Sequence, residues 1–244
     1  MLLSRFFYLI LALALGGAVA ATFVIHNYYN RTTERWMKDA LAADSISVGS
    51  YLKDDARTRA AELIPLALDK DIREGLAKAS ESDDVPKEAA SKVASGVTRL
   101  AAACEPKFSA VYATDADGRI IGASGGSYAV GANIGGYSVV ADALAGWIRN
   151  DTWYQNRIVR VVARPVERDG GGEPVGAVVG ITIIDTEFAT AVAKRTGASV
   201  AFFSNNVTEA EGLPYADGDT SPQNVSRNDL DAIQSDLVLS LIHI

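Results

Sequence analysis

From Phe6 to Ile25 the chain runs for 20 residues without a charged side chain, between Arg5 on one side and His26, Arg31 and Arg35 on the other. About 20 residues, each rising roughly 1.5 Å, cross the hydrocarbon core of a bilayer as one helix. The run therefore predicts a single transmembrane helix over 6–25. A cleaved signal peptide is the competing reading, because Ala18-Val19-Ala20 offers a small-x-small site. The apolar run continues past that site through Phe23, Val24 and Ile25, which favours retention. The flanking charges do not decide orientation, but the head, residues 1–5, is short enough to stay in the cytoplasm, and the rest of the chain then faces outward.

Composition narrows what that outer part can do. With 30 acidic residues against 23 basic ones the net charge is -7, and no face gathers the Lys and Arg surplus that nucleic-acid phosphates demand. No nucleic-acid partner is expected. The only cysteine is Cys104, so the fold is held by packing, without an internal disulfide. The two histidines, His26 and His243, lie beside the apolar run and near the end. The middle of the chain thus lacks the usual general base and the commonest zinc ligand, which removes Ser/His/Asp and Cys/His catalysis and a zinc site. Catalytic residues, a metal and a cofactor are all expected to be absent.

After the apolar run the periodicity is helical. Met37, Leu41, Val48, Leu52, Leu63 and Leu66 recur near three- and four-residue steps among Lys38, Asp39, Lys53, Asp54, Arg57 and Arg59, with a break near Pro65. Such a stripe can pair with a second subunit or pack on its own domain. A polar turn at 80–86 leads through Pro86 into a further helix over 87–103. The period then changes to that of strands. Residues 108–114 and 119–123 flank an Asp-x-Asp-Gly turn, a glycine-rich loop covers 122–136, and a short helix is expected over 138–147. Two long strands, 158–166 and 175–184, form a second hairpin. Asp185 is placed to cap a helix over 186–195 that Gly197 ends, and a strand over 198–204 follows. Beyond Asn205 the sequence reads as polar loop.

The ending, Leu239-Ser240-Leu241-Ile242-His243-Ile244, matches an in-frame translation of the end of a common transposase sequencing adapter. We read 239–244 as read-through from a truncated gene and exclude it from fold reasoning; a natural apolar tail is the alternative.

Val111-Tyr112-Ala113-Thr114-Asp115-Ala116-Asp117-Gly118-Arg119-Ile120-Ile121 and Gly176-Ala177-Val178-Val179-Gly180-Ile181-Thr182-Ile183-Ile184-Asp185, in this order after long helices, resemble the Cache family of PAS-like extracytoplasmic sensors. Lys194-Arg195-Thr196-Gly197-Ala198-Ser199-Val200-Ala201-Phe202-Phe203 is similar to the start of the membrane-proximal part in some members. The resemblance covers about Asn27 to Asn205. It implies an α+β fold, with long N-terminal helices followed by a PAS-like antiparallel sheet and covering helix, after one transmembrane helix. The chain divides accordingly into a helical stalk over 26–105, a sensor domain over 106–188 and the start of a truncated membrane-proximal part over 189–238. It also implies the ligand-sensing region of a bacterial inner-membrane receptor, facing the periplasm or exterior, homodimeric, with a small-molecule ligand and a downstream output domain. A structural or partner-binding envelope domain is the alternative.

Candidate ligand-binding residues are Trp147, Arg149, Trp153 and Tyr154, in the segment expected to line the pocket. Aromatic walls with a guanidinium suit a carboxylate, and an anionic ligand is one option. Core packing for the Trp residues and a solvated Arg149 is the plainer reading. Amino-acid-binding members carry Arg-x-Trp-Tyr and a later Asp; here the spacing differs and Thr182 stands about where that Asp is expected. Arg160 and Arg164 share one face of a strand with Ile158 and Val162, a second place to read an anion unless that face is solvated. Tyr112 and Tyr137 are core or rim candidates. Asp115 and Asp117 resemble the start of a calcium loop but lack its later ligands, and the turn alone accounts for them.

Overall fold

The computed structural model describes residues 2–82, 85–154, 157–168, 170–204 and 207–212; among these, the side chains of 2–14, 18, 30, 153, 154, 204 and 207–212 are left aside. Two compact units divide at Gly49, one Met1–Gly49 and the other Ser50–Ile244. The first is the larger part of helix α1 (Leu2–Glu62). Among the described residues no helix is long and apolar enough to cross a membrane. Much of the run from Phe6 to Ile25 lies outside the described side chains. So does the tail at 239–244 lie outside the described residues.

In the second unit the chain leaves α1 through α2 (Ile64–Leu68), with Pro65 in its first turn, and α3 (Lys70–Ser80), whose first turn is capped by the Asp69 carboxylate accepting from Ile72 N–H. The break expected near Pro65 is there. Helix α4 (Lys87–Ala101) starts directly after Pro86. Strands β1 (Ala110–Asp115) and β2 (Ile120–Gly125) form the first hairpin, with the Asp115 carboxylate accepting from Asp117 N–H and Arg119 N–H and pairing with the Arg119 guanidinium. That carboxylate is buried by the turn it organises, a satisfied structural group. Helix α5 (Ser138–Leu144) and strands β3 (Arg149–Tyr154), β4 (Ile158–Glu167) and β5 (Pro174–Ile183) follow. Helix α6 (Thr186–Thr196) is capped by Asp185, which accepts from Phe188 N–H, and ends at Gly197 with φ 77°, the left-handed geometry glycine adopts without strain.

Strands β2-β1-β5-β4-β3, in that order, make one antiparallel sheet, and β6 (Val200–Ser204) with β7 (Val207–Gly212) makes a separate two-stranded one. The α+β expectation holds. Two elements differ from it. Residues 149–154, expected only to line a pocket, are an edge strand, and 207–212, expected as loop, pair with β6. Both are short and polar and so lack the apolar alternation by which strands are recognised.

Pleating gives the large sheet two buried faces. On one, Val111, Ala113, Ile121, Val162, Val166 and Val178 pack against Leu66, Ile72, Leu76, Val93 and Val97 of α2, α3 and α4. On the other, Tyr112, Ile120, Val159, Val161, Val179 and Ile181 pack against Ile134 of the preceding loop and Val139, Val140 and Ala143 of α5. The sheet is thus a middle layer, which is why β4 and β5 read as near-continuous apolar runs.

Replacing the α6 cap, Asp185→Ala, should cost about 1 kcal/mol and lower the midpoint by a few degrees in a thermal melt. An unchanged melt would mean that this cap contributes nothing to the folded unit.

Candidate functional site

On the α5 side the floor is largely apolar; among its residues is Tyr112, whose side chain is buried and whose hydroxyl accepts from Tyr128 N–H at 3.3 Å. The Tyr112 and Tyr128 rings meet edge to face at 5.7 Å, and Tyr128 and Tyr137 do so at 6.4 Å with their hydroxyls 2.8 Å apart. Three tyrosines from β1, the glycine-rich loop and the residue before α5 therefore form one file. The loop reaches this position because Gly126 has φ 83° and lies against the Tyr112 hydroxyl, where a side chain would collide.

Beside the file, Ser138 Oγ donates to Asp151 at 3.4 Å, tying α5 to β3, and Arg149 pairs with Asp142 at 3.2 Å. Register sets Arg149 opposite Ala163, Asp151 opposite Val161 and Trp153 opposite Val159, three β4 residues of the α5-side core. The edge strand β3 thus brings a guanidinium and a carboxylate to the rim of the face that Tyr112 floors. These groups can hydrogen-bond and pair with a small polar molecule. They contain no activated nucleophile: the one thiol, Cys104, is buried on the opposite face, and burial followed by the Glu62 carboxylate pushes its pKa up. Among the described residues no group of three His, Cys, Asp or Glu side chains could hold a metal ion.

Of the sequence candidates, Tyr112 and Tyr137 join through Tyr128, and Arg149 stands on the same side at the sheet edge, separated from Tyr112 by two strands. Trp147 stands in the turn before β3 with 63% of its surface exposed, outside the core. Trp153 and Tyr154 lie in β3 by backbone, Tyr154 opposite Ile158, while their side chains fall outside the described residues. Arg160 and Arg164 share a face, as their spacing requires, but it is the face turned to the end of α1. Arg164 donates to Ala60 O at 3.2 Å. Arg160 donates to Asp55 at 2.6 Å and to Leu52 O at 2.6 Å, and its guanidinium lies 5.9 Å from the Phe188 ring centre. Thr182 pairs with Arg160 in the ladder, so it too stands on the α1 face rather than among the tyrosines.

Asp55 receives a second cation, Arg59, at 3.0 Å, and Arg59 also donates to Lys107 O and stacks on Phe108. The side chains of Arg59, Asp55 and Arg160 are each about nine-tenths buried. Burial, the largest cause, lowers the Arg160 pKa from its ordinary value while Asp55 raises it back, so the pair is mutually dependent. Sequence reasoning missed Tyr128, Asp151 and Asp55. A tyrosine inside a glycine-rich loop and an acidic residue one turn before Arg59 were the available signals.

No family model matches the chain, and no curated protein does. Among solved structures it is similar to the sensor domain of the Vibrio cholerae histidine kinase DctB, with TM-score 0.50 and 15% identity over 82% of this chain and 75% of that one. The chain shares the fold of that domain. Two lower-scoring neighbours are the periplasmic domain of Vibrio cholerae LuxQ (TM-score 0.49, 10% identity, 80% of this chain and 84% of that) and the ligand-binding domain of the Campylobacter jejuni chemoreceptor Tlp3 (0.46, 16%, 74% and 71%). Within this fold, the tyrosine file occupies the sheet face covered by loop and short helix, and the Arg59–Asp55–Arg160 cluster occupies the face toward α1.

Removing the carboxylate alone, Asp55→Ala, leaves two buried guanidinium groups sharing no anion and should cost about 3–5 kcal/mol in denaturant unfolding. Tyr112→Phe should cost about 1 kcal/mol, the worth of one hydrogen bond. If Asp55→Ala were as mild as Tyr112→Phe, the charge cluster would not be holding α1 to the sheet.

Proposed function

We propose that this chain is the extracytoplasmic ligand-sensing region of a bacterial transmembrane receptor, which passes a small-molecule signal to a cytoplasmic output domain. The observation that carries the reading is the set of polar groups on the loop-covered face: the tyrosine file, with Arg149 and Asp151 on the edge strand at its rim. A guanidinium, a carboxylate and tyrosine hydroxyls suit a small anionic or zwitterionic metabolite. Trp147 and Trp153 stand near enough in sequence to contribute a wall. The fold shared with a histidine-kinase sensor domain supports the receptor role, and the uncharged run Phe6–Ile25 supports anchorage by one transmembrane helix. Exposed Tyr28, Trp36, Met37, Leu41 and Ile46 along α1 support a homodimer joined through that helix.

A second reading, a partner-binding envelope domain, draws on the adjacent Trp147 and Ile148, which are 63% and 48% exposed. A thermal-shift screen of the detergent-solubilised chain against small carboxylates and amino acids separates the two. Ligand at 100 times its Kd adds about 2.7 kcal/mol, a shift of roughly 5–10 °C for a unit of this size. We expect such a shift with at least one compound, abolished by Arg149→Ala, and no hit across the panel would favour the partner-binding reading. Topology is checked with alkaline phosphatase fused after Asn27: activity on intact cells and retention in the membrane fraction are expected, and an inactive, soluble fusion would overturn the anchored, outward-facing arrangement.

A further inference from the structure

Strand β4 is gripped differently on its two faces. Val159 and Val161 belong to the α5-side core, while Arg160 between them reaches the opposite side, donating to Leu52 O and Asp55 of α1. The same guanidinium lies over Phe188 of α6, and Phe188 meets Phe202 of β6 with ring centres 6.0 Å apart. Helix α6 also packs on β7. One side chain therefore touches the last turns of α1, which precede the sheet, and α6, which follows it, and it is fixed to a strand whose neighbouring residues floor the candidate ligand face. The contacts are directional: two charge-assisted hydrogen bonds at 2.6 Å fix the plane of the guanidinium, and a plane so fixed can stack on only one ring position.

We propose that Arg160 is a coupling residue, a joint that ties the last turns of α1 to α6 and the β6–β7 pair, so that a displacement of β4 reaches both together. It rests on the fold and on these contacts and not on any ligand, so its failure and that of the sensing reading are distinguishable. Spatial intermediacy alone does not show coupling; a demonstrated interaction free energy does.

The test is a mutant cycle in the full chain between Asp55→Asn on α1 and Phe188→Leu on α6, read as unfolding equilibrium constants and repeated with Arg160→Met. With Arg160 present, the double variant should depart from the product of the single effects by about fivefold, near 1 kcal/mol at 25 °C. With Arg160→Met the two changes should combine without interaction. Non-interacting effects in the presence of Arg160, or an equal departure without it, would overturn the proposal. Should Arg160→Met fail to fold, Arg160→Lys, which keeps the charge but loses the planar fork, takes its place with the same two outcomes. A second readout is hydrogen exchange in Asp55→Asn: Phe188 to Val192 amides should speed up about tenfold more than in Val178→Ala matched for global stability, and equal exchange in the two variants would contradict the joint.

Discussion

Burying a carboxylate is costly unless cations and hydrogen bonds replace its water, and the second unit is arranged around that requirement at Asp55. Its partners come from two elements distant in sequence: Arg59 one turn along α1, and Arg160 in the middle of the sheet. The guanidinium groups spend their other donors on Lys107 O and Leu52 O and lie against Phe108 and Phe188. An apolar contact tolerates sliding, whereas this cluster is satisfied only when the helix sits at one height on the sheet. The end of α1 is therefore positioned by charge, and α2, α3 and α4 are then positioned by the apolar layer that begins at Leu63 and Leu66.

That division of labour separates the two faces of the sheet by role. The α1 face is locked with ion pairs and aliphatic side chains. The α5 face is floored by valine and isoleucine but carries a tyrosine file under a glycine-rich loop. The sheet is thus held by ion pairs and aliphatic side chains on one side and covered by a short helix and loop on the other.

Much of this was legible in the sequence. The helix period over 37–66, the Asp-x-Asp-Gly turn, the two long apolar strands and the Asp185 and Gly197 caps are local signals, and the structure places each within a few residues of its expected position. The strands at 149–154 and 207–212 were not, since polar edge strands pair by backbone and leave no apolar alternation. The same limit applied to the charged residues. The spacing of Arg160 and Arg164 announced a common face but not which one, and the answer depended on Asp55, 105 residues away, and on the Ala60 carbonyl. Tyr112 and Tyr137 were both visible as candidates, while Tyr128, which links them, joins them only once the loop folds back across β1.

The measurement that bears most directly on this account is amide hydrogen exchange along α1 in the intact chain. If the buried charge cluster fixes the helix to the sheet, amides from Lys53 to Glu62 should exchange as slowly as those of β4 and β5, at the rate set by global unfolding. Exchange of that segment as fast as in an isolated, frayed helix, while the strands stay protected, would contradict it.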